Sequence, residues 1–295
     1  MSRFSKKWSV CYTVMLLSFS VYAILDTFVI SSSYATEVQA IDSTSTSGSE
    51  QTAVSLATEN DAETSVSMET YRAYDTDIYV ATVTLSDITS LRSAFAEGTY
   101  GKNITAKTSE IAEGVNALLA INGDYYGVQE SGYVIRNGIL YRSSTRNGQQ
   151  DLVIYSDGST EFISEDDVTA EELMEKGAWQ VLSFGPALIS DGEISVSEEE
   201  EVGKAMESNP RTAIGFLEDG SLVFVVSDGR TEKSEGLSLY EMAEFLTSIG
   251  VVNAYNLDGG GSSTMVYRGE LINNPTTSGR SIKERAVSDI LYISN

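Results

Sequence analysis

Two-residue turns that end in glycine separate short apolar runs in this 295-residue chain. Asn137-Gly138 lies between VIR and ILY, Asp157-Gly158 follows LVIYS, and Asp219-Gly220 divides RTAIGFLEDGSLVFVVSDGR. Asn-Gly and Asp-Gly readily adopt the positive φ angles that a tight hairpin turn requires. The sequence therefore predicts three β-hairpins.

Further strands are predicted outside these hairpins. Alternation of side chains predicts an opening strand over residues 78–83, and the apolar run LLAI at 118–121 predicts a buried strand that ends in a loop. WQVLSFGPALI reads as a strand broken at Gly185-Pro186, VVNAYNL as another strand, and residues 287–293 as the last one. The prediction is a sheet-containing globule.

Helices are fewer. Residues 108–117 have a helical pattern, and Thr169 with Glu172 forms a capping box for a short helix. Ser238 with Glu241 forms another, ahead of the amphipathic segment SLYEMAEFLTSIG. We therefore predict an α+β fold, with a single domain, a mixed and largely antiparallel sheet, several hairpins and a few packed helices.

The N-terminal segment is apolar behind a basic start. Arg3, Lys6 and Lys7 precede an uncharged run at residues 8–25, which at 1.5 Å per residue is about 27 Å long, near the thickness of a bilayer core. The sequence predicts a single-pass membrane anchor with the C-terminal part outside. The alternative is a cleaved signal peptide and a secreted protein.

Composition divides the chain into three parts. Residues 1–36 are the predicted anchor or signal segment, and residues 37–70 are rich in Ser, Thr and acids without Lys or Arg. Such a segment cannot bury enough apolar surface to offset its ordering entropy, so it is predicted to be a flexible linker. Residues 71–295 form the third part, which is predicted to be one globular domain.

The residues that are missing limit the chemistry. The chain has no histidine, and its one cysteine, Cys11, lies in the N-terminal run. A Ser-His-Asp triad, a histidine-ligated zinc site and a thiolate nucleophile in the domain are excluded. A net charge of −24 opposes nucleic-acid binding. The carboxylates form either a solvated exterior or a site for divalent cations.

The segment NLDGGGSS at residues 256–263 is the most unusual one. A predicted strand ends, Asp258 follows, and three glycines come next. Glycine lets backbone N–H groups approach an oxyanion closely, so this loop could hold a carboxylate beside a phosphate. The alternative is a tight loop capped by an aspartate. The lysine of a P-loop is absent.

Three other strand ends carry polar residues. NGDYYG at 122–127 offers an amide, a carboxylate and two aromatic rings, a set suited to a sugar. Arg211-Thr212 opens a strand and Asp228-Gly229-Arg230 ends its partner. Arginine can bind a phosphate with two parallel hydrogen bonds. The alternatives are ordinary turns and surface charges.

Several segments, in order, closely resemble the phosphodiester glycosidase domain family. They are RTAIGFLEDGSLVFVVSDGR, LSLYEMAEFL and VVNAYNLDGGGSSTMVYRGEL, together with AINGDYYG and SFGPALI. The similarity runs from about residue 76 to the C-terminus and is dense over 209–272. The family includes animal enzymes and bacterial exopolysaccharide-associated proteins.

The resemblance implies site residues at matching positions. Glu241 falls in a matching block but on a helix cap, and Asp124 stands where the animal pattern has glycine. The predicted catalytic residues are Asp258, Asp228 and Arg211. The predicted substrate-binding residues are Asn122, Gly123, Asp124, Tyr125, Thr212, Arg230, Gly259, Gly260, Gly261 and Ser262.

The implied function is an extracytoplasmic hydrolase that cleaves a sugar-1-phosphodiester, similar to a GlcNAc-1-phosphodiester, in a cell-surface or exopolysaccharide glycoconjugate. Asp258 would be the nucleophile or base, and Arg211 with Arg230 would neutralise the phosphate. Asn122 and Tyr125 would bind the sugar. No cofactor is predicted, although a divalent cation is an open alternative. The rival functions are a non-catalytic glycopolymer-binding protein and a metal-dependent phosphodiesterase.

Overall fold

The computed structural model describes residues 32–33, 51–54, 56–60, 64–197 and 208–294, with side chains for the last two ranges. The apolar run at 8–25 lies outside these residues. In the part of the chain that is described, no helix is long and apolar enough to cross a bilayer. This finding corrects the single-pass membrane localisation predicted from the sequence.

Strands are the main secondary structure of the described residues. In chain order they are β1 (Ser32–Ser33), β2 (Gln51–Val54), β3 (Leu56–Asn60), β4 (Thr64–Ala73), β5 (Thr76–Leu85), β6 (Leu91–Phe95), β7 (Gly101–Lys102), β8 (Ala117–Asn122), β9 (Val134–Arg136), β10 (Ile139–Arg142), β11 (Gln150–Tyr155), β12 (Thr160–Ser164), β13 (Ala178–Leu182), β14 (Ala187–Ser190), β15 (Glu193–Ile194), β16 (Thr212–Leu217), β17 (Leu222–Ser227), β18 (Val251–Asn256), β19 (Met265–Tyr267), β20 (Glu270–Leu271) and β21 (Asp289–Ser294). The α-helices among them are α1 (Thr108–Gly114), α2 (Ala170–Glu175) and α3 (Leu239–Ser248).

Three sheets carry the fold. A nine-stranded sheet has the order β15-β14-β18-β16-β17-β5-β4-β3-β2, and two five-stranded sheets have the orders β10-β9-β13-β11-β12 and β20-β19-β8-β21-β6. β1 and β7 form a separate ribbon. Every strand pair in the described residues is antiparallel, which corrects the prediction of a mixed sheet. The fold is also richer in sheet than the predicted α+β class suggests, because the helices are few and short.

The three predicted hairpins are confirmed. β9 pairs with β10, β11 with β12, and β16 with β17, each across its predicted turn. At Asn137-Gly138 both residues have positive φ, 53° and 73°, as a two-residue hairpin turn requires.

Both predicted capping boxes are also confirmed. Thr169 and Glu172 cap α2, and Ser238 and Glu241 cap α3 through reciprocal bonds between side chain and backbone. α3 packs its apolar face on the nine-stranded sheet, with Leu239, Met242 and Leu246 fully buried in one core cluster. Glu241 thus has a structural role at the start of this helix.

The nine-stranded sheet includes β2, β3 and part of β4, all of which precede the predicted domain boundary at residue 71. β4 starts at Thr64 and pairs with β5 along its whole length. Val66 and Met68 point into the core between polar neighbours. Because those neighbours are Ser, Thr and Glu, the composition of this strand resembles that of a linker.

One core cluster joins all three sheets. It contains Phe224 of β17, Leu152 of β11, and Leu119 of β8, all fully buried. β16 runs antiparallel to both β17 and β18, so its first residue lies beside the last residues of those two strands. The loops that carry the predicted site residues therefore meet at one edge of this core.

Candidate functional site

Asn122 joins the loops at this edge. It is fully buried at the end of β8, and its side-chain amide donates to the carbonyl oxygen of Asp258 at 2.7 Å. Its Oδ1 accepts from the Thr212 hydroxyl at 2.8 Å and from the Thr264 N–H at 3.2 Å. The amide thus ties β8, β16 and the loop after β18 together, which is a positioning role.

Asp258 lies at the end of β18 with 8% of its surface exposed. The Nη2 atom of Arg285 lies 3.2 and 3.1 Å from its two carboxylate oxygens. Burial raises the pKa of Asp258, while the charge of Arg285 and a hydrogen bond from Ser262 oppose that rise. The carboxylate is nearly buried and its ionisation depends on Arg285.

The three glycines after Asp258 are required by close contacts. A Cβ at Gly259 would lie 2.9 Å from the Pro210 carbonyl oxygen, and one at Gly261 would lie 2.2 Å from Thr277 Oγ1. Gly260 has a φ of +63°, and a Cβ there would lie 3.0 Å from the guanidinium of Arg230. Any side chain at these positions would displace the surrounding groups.

Two arginines border this glycine loop. Arg285 Nη2 also donates to the Gly259 carbonyl at 2.8 Å, and its Nε donates to Ser262 Oγ at 2.8 Å. Arg230 donates to Asn209 Oδ1 and to the Thr277 carbonyl. Partial burial, and then the positive charge of Arg285, lower the pKa of Arg230. The loop is therefore electropositive apart from Asp258.

Asp228 lies at the end of β17, almost buried. Its carboxylate accepts from the Asn274 N–H and side-chain amide, each at 2.7 Å, and from the Tyr79 hydroxyl at 3.3 Å. The neighbouring Asn273 amide donates to the Ser263 carbonyl at 2.9 Å and lies 3.5 Å from Asp228. Asp228 therefore holds the 273–274 turn against the glycine loop.

Arg211 is buried, and the Nε of its side chain is directed toward another segment. Its Nε donates to the Leu237 carbonyl at 2.8 Å, ahead of α3. A Cβ at Gly259 would lie 3.9 Å from the Arg211 Cα, so the backbone of Arg211 borders the site. The structure thus brings the Arg211 main chain, rather than the Nε of its side chain, to the glycine loop.

Asp124 belongs to a buried charge network. Its carboxylate lies 2.8 Å from Arg136 Nη2 and accepts from the Ser183 N–H at 2.8 Å, and Arg136 Nε also pairs with Asp289 at 2.8 Å. All of these charged groups are buried. A Cβ at Gly123 would lie 2.1 Å from Asp289 Oδ1, so this glycine permits the network to form. Asp124 is positioned for structure rather than for contact with a ligand.

Tyr125 is placed differently from the residues around it. Its φ is 74° and 36% of its surface is exposed, so the ring is available at the surface. Such a positive φ is uncommon for a residue other than glycine, and it marks a sharp turn of the loop after Asp124. Of the residues predicted on this loop, Tyr125 is the one with an accessible side chain.

Sequence reasoning missed several residues at the site. Arg285 lies in the polar stretch SIKERAV, which has no pattern that indicates a site. The hydroxyls of Ser263 and Thr264 directly follow the predicted residues, and both are buried without a hydrogen-bond partner in the described structure. Asn209, Asn273 and Asn274 could be found only through their contacts. Among the described residues, no group of three carboxylates is arranged to hold a metal ion.

Comparison with known proteins identifies relatives over this region. The family model described as phosphodiester glycosidase matches residues 115–294. The SPbeta prophage-derived uncharacterized protein YomE of Bacillus subtilis is 35% identical over 176 residues, which are 59% of this chain and 26% of that protein. Human N-acetylglucosamine-1-phosphodiester alpha-N-acetylglucosaminidase is 35% identical over 189 residues, with 58% of this chain and 36% of that protein covered. The chain thus spans about a quarter to a third of these relatives.

Solved structures share the fold. The catalytic domain of the zebrafish N-acetylglucosamine-1-phosphodiester alpha-N-acetylglucosaminidase, auto-inhibited by its pro-peptide, matches with a TM-score of 0.63 and 25% identity, over 79% of this chain and 83% of that one. A hypothetical protein from Synechocystis matches with a TM-score of 0.61 and 18% identity, over 81% of this chain and 64% of that one. The second match concerns the fold alone.

Proposed function

Because the chain belongs to the phosphodiester glycosidase family, we propose that it hydrolyses a sugar-1-phosphodiester and releases the free sugar, with N-acetylglucosamine as the sugar. The observation that carries the proposal is the carboxylate of Asp258, held by Arg285 on a glycine loop that Arg230 also borders. This arrangement places one acid beside two cations.

The leaving group explains why one carboxylate is sufficient. Ordinary glycosidases use two carboxyl groups, one of which protonates a departing alkoxide. A phosphate monoester anion is already a good leaving group and needs little protonation. Asp258 then acts at the anomeric carbon as nucleophile or base, and no imidazole or thiol is needed.

The phosphate is bound by Arg230 and Arg285. Within the described residues, Arg230 hydrogen-bonds neutral oxygens of Asn209 and Thr277, and its pKa is lowered partly by Arg285. Like charges held together in this way favour an anion between them, and guanidinium groups match phosphate geometry.

Asp228 and Asn122 act as positioning residues in this proposal. Asp228 holds the 273–274 turn, and the Asn273 side chain of that turn donates a hydrogen bond to the Ser263 carbonyl. Asn122 donates a hydrogen bond to the Asp258 carbonyl. The main chain just before Arg211 supports the same loop, because the Gly260 N–H donates to the Pro210 carbonyl at 2.8 Å. The groups that touch substrate are then Asp258, Arg230 and Arg285, with Tyr125 at the sugar.

Release of free N-acetylglucosamine from its 1-phosphate methyl diester tests the proposal. Asp258→Asn keeps the volume of the side chain and removes its charge, so turnover should fall by at least about 100-fold. Asp191→Asn is the matched control, because Asp191 is exposed and has a φ of 51°, which asparagine tolerates. It should retain full turnover.

Two results would contradict the proposal. Equal turnover by Asp258→Asn and the unaltered protein would remove Asp258 from the chemistry. Tight binding of the diester with no release of sugar by the unaltered protein would instead support a glycopolymer-binding function.

A further inference from the structure

Arg285 holds the Asp258 carboxylate from a polar loop, and its own side chain is 40% exposed. A long, partly solvated arginine side chain has many rotamers and loses conformational entropy when it is held in one of them. Its position therefore depends on how firmly the main chain beneath it is fixed. The residue before it, Glu284, makes a contact that the proposed function does not use.

Glu284 binds the first turn of α1 through both carboxylate oxygens. Its Oε1 accepts from the Ser109 N–H at 3.0 Å, and its Oε2 accepts from the Ser109 hydroxyl at 2.6 Å. Hydrogen bonds to an ionised acceptor are shorter and stronger than those between neutral groups. This double contact joins two segments that are 175 residues apart in the chain.

The helix that carries Ser109 is itself fixed by packing. Ile111 of α1 is buried in a core cluster that also contains Val287, which follows the polar loop. Val287 and Ala106 exchange two backbone hydrogen bonds, at 2.8 and 3.0 Å, just ahead of α1. Because a close-packed core resists displacement, Ser109 offers a fixed point to which the loop is attached.

The glycine loop holds the main chain of Arg285 from the other side. The Arg285 N–H donates to the Gly261 carbonyl at 2.9 Å, and a Cβ at Gly261 would lie 3.3 Å from the Arg285 Cβ. Adjacent residues thus bind different neighbours: the Glu284 carboxylate binds α1, and the Arg285 guanidinium binds Asp258. A change at the contact with Ser109 is one residue away from the base of the arginine side chain.

We propose that Glu284 is a positioning residue of the reaction. By binding Ser109, it fixes the main chain from which Arg285 extends and so holds the guanidinium against the Asp258 carboxylate. This inference rests on the proposed function, because Glu284 acts on Asp258 only through Arg285. Glu284 itself touches no reacting atom.

The charge of Glu284 has the opposite effect from its positioning role. A nearby negative charge disfavours ionisation of a carboxyl group, so removal of the Glu284 charge would by itself lower the pKa of Asp258. Loss of the Arg285 contact would raise that pKa, because Arg285 opposes the effect of burial. On α1, the charged neighbours Lys107 and Glu110 form an exposed ion pair with each other. The direction of the pKa change therefore separates the two effects.

Two variants test the positioning role. Glu284→Gln removes the charge of the acceptor, and Ser109→Ala removes the hydroxyl donor without any change of charge. In both, the acidic limb of kcat/KM for N-acetylglucosamine 1-phosphate methyl diester should move to higher pH. On that limb kcat/KM should fall by about three- to tenfold in Glu284→Gln and by less in Ser109→Ala, which keeps the backbone N–H. Glu113→Gln removes an exposed carboxylate from the same helix, and its profile should match that of the unaltered protein.

The ionisation of Asp258 is also measured without substrate. A ¹³C NMR titration of the aspartate carboxyl groups in the full chain, with Asp258→Asn to assign the resonance, gives its pKa directly. A higher pKa in Glu284→Gln supports the positioning role, whereas an unchanged or lower pKa overturns it and leaves the proposed function intact. If Glu284→Gln does not fold, Ser109→Ala decides by the same criterion. If the unaltered protein releases no sugar from the diester, the proposed function fails, and the titration still decides whether Glu284 positions Arg285.

Discussion

Arg285 contacts both carboxylate oxygens of Asp258 and the carbonyl oxygen of Gly259 through a single nitrogen. Its side chain is 40% exposed, while that of Asp258 is 11% exposed. One partly solvated cation therefore sets both the position and the ionisation of the proposed catalytic carboxylate. Burial alone would favour the neutral acid.

Substitution of Arg285 should change the pH profile of the reaction. Burial raises the pKa of Asp258 and Arg285 lowers it, so Arg285→Gln should raise that pKa further. Because Asp258 must be ionised to act, the acidic limb of kcat/KM should move to higher pH. The pH dependence of kcat/KM on the methyl diester measures this shift.

Two variants serve as controls. Arg285→Lys keeps the charge and should leave the limb near its original pH, whereas Arg280→Gln removes an exposed charge from the same loop and should have no effect. If the acidic limb of the kcat/KM profile lies at the same pH in Arg285→Gln as in the unaltered protein, Arg285 does not act through the ionisation of Asp258.

The sequence could single out Asp258 and its glycines as candidate site residues because they are contiguous and their backbone requirements are local. It could not identify Arg285, which lies 27 residues away in a polar loop without periodicity. It placed Asn122 at the site but could not show that the amide is occupied by Asp258, Thr212 and Thr264. Side-chain roles depend on which loops the fold brings together.

Among the strands, β4 shows why part of the segment predicted to be a linker forms a sheet. Hairpins and helix caps are set by two to four neighbouring residues, so they were predictable. A strand is stabilised by its partner, and half of the residues through which β4 pairs with β5 are Ser, Thr or Glu. Only Val66 and Met68 reveal a buried face.

A matched pair of substitutions tests β4. Val66→Asn places an amide at a fully buried position and should lower the free energy of unfolding by about 2–4 kcal/mol. Ser67→Asn, on the opposite face, should change it by less than about 0.5 kcal/mol. Chemical denaturation of both full chains measures the difference. Equal stabilities would mean that this segment behaves as the flexible linker that its composition suggests.

At the scale of the whole molecule, the site exists because three antiparallel sheets share one core. Asn122 and Asp258 are separated by 136 residues and meet through one hydrogen bond. β8 belongs to a different sheet from β16 and β18, so the site lies where two sheets join. The sequence predicted each strand end separately, but the division into sheets depends on non-local pairing.

In the proposed reaction, the bond between the anomeric carbon of the sugar and the phosphate oxygen breaks. Hydrolysis of N-acetylglucosamine 1-phosphate methyl diester in ¹⁸O-labelled water, with mass analysis of both products, tests it directly. Attack at the anomeric carbon, assisted by Asp258, predicts the label in the released sugar and none in the phosphate. Label in the phosphate would show that a P–O bond is cleaved, and the protein would then be a phosphodiesterase rather than a glycosidase.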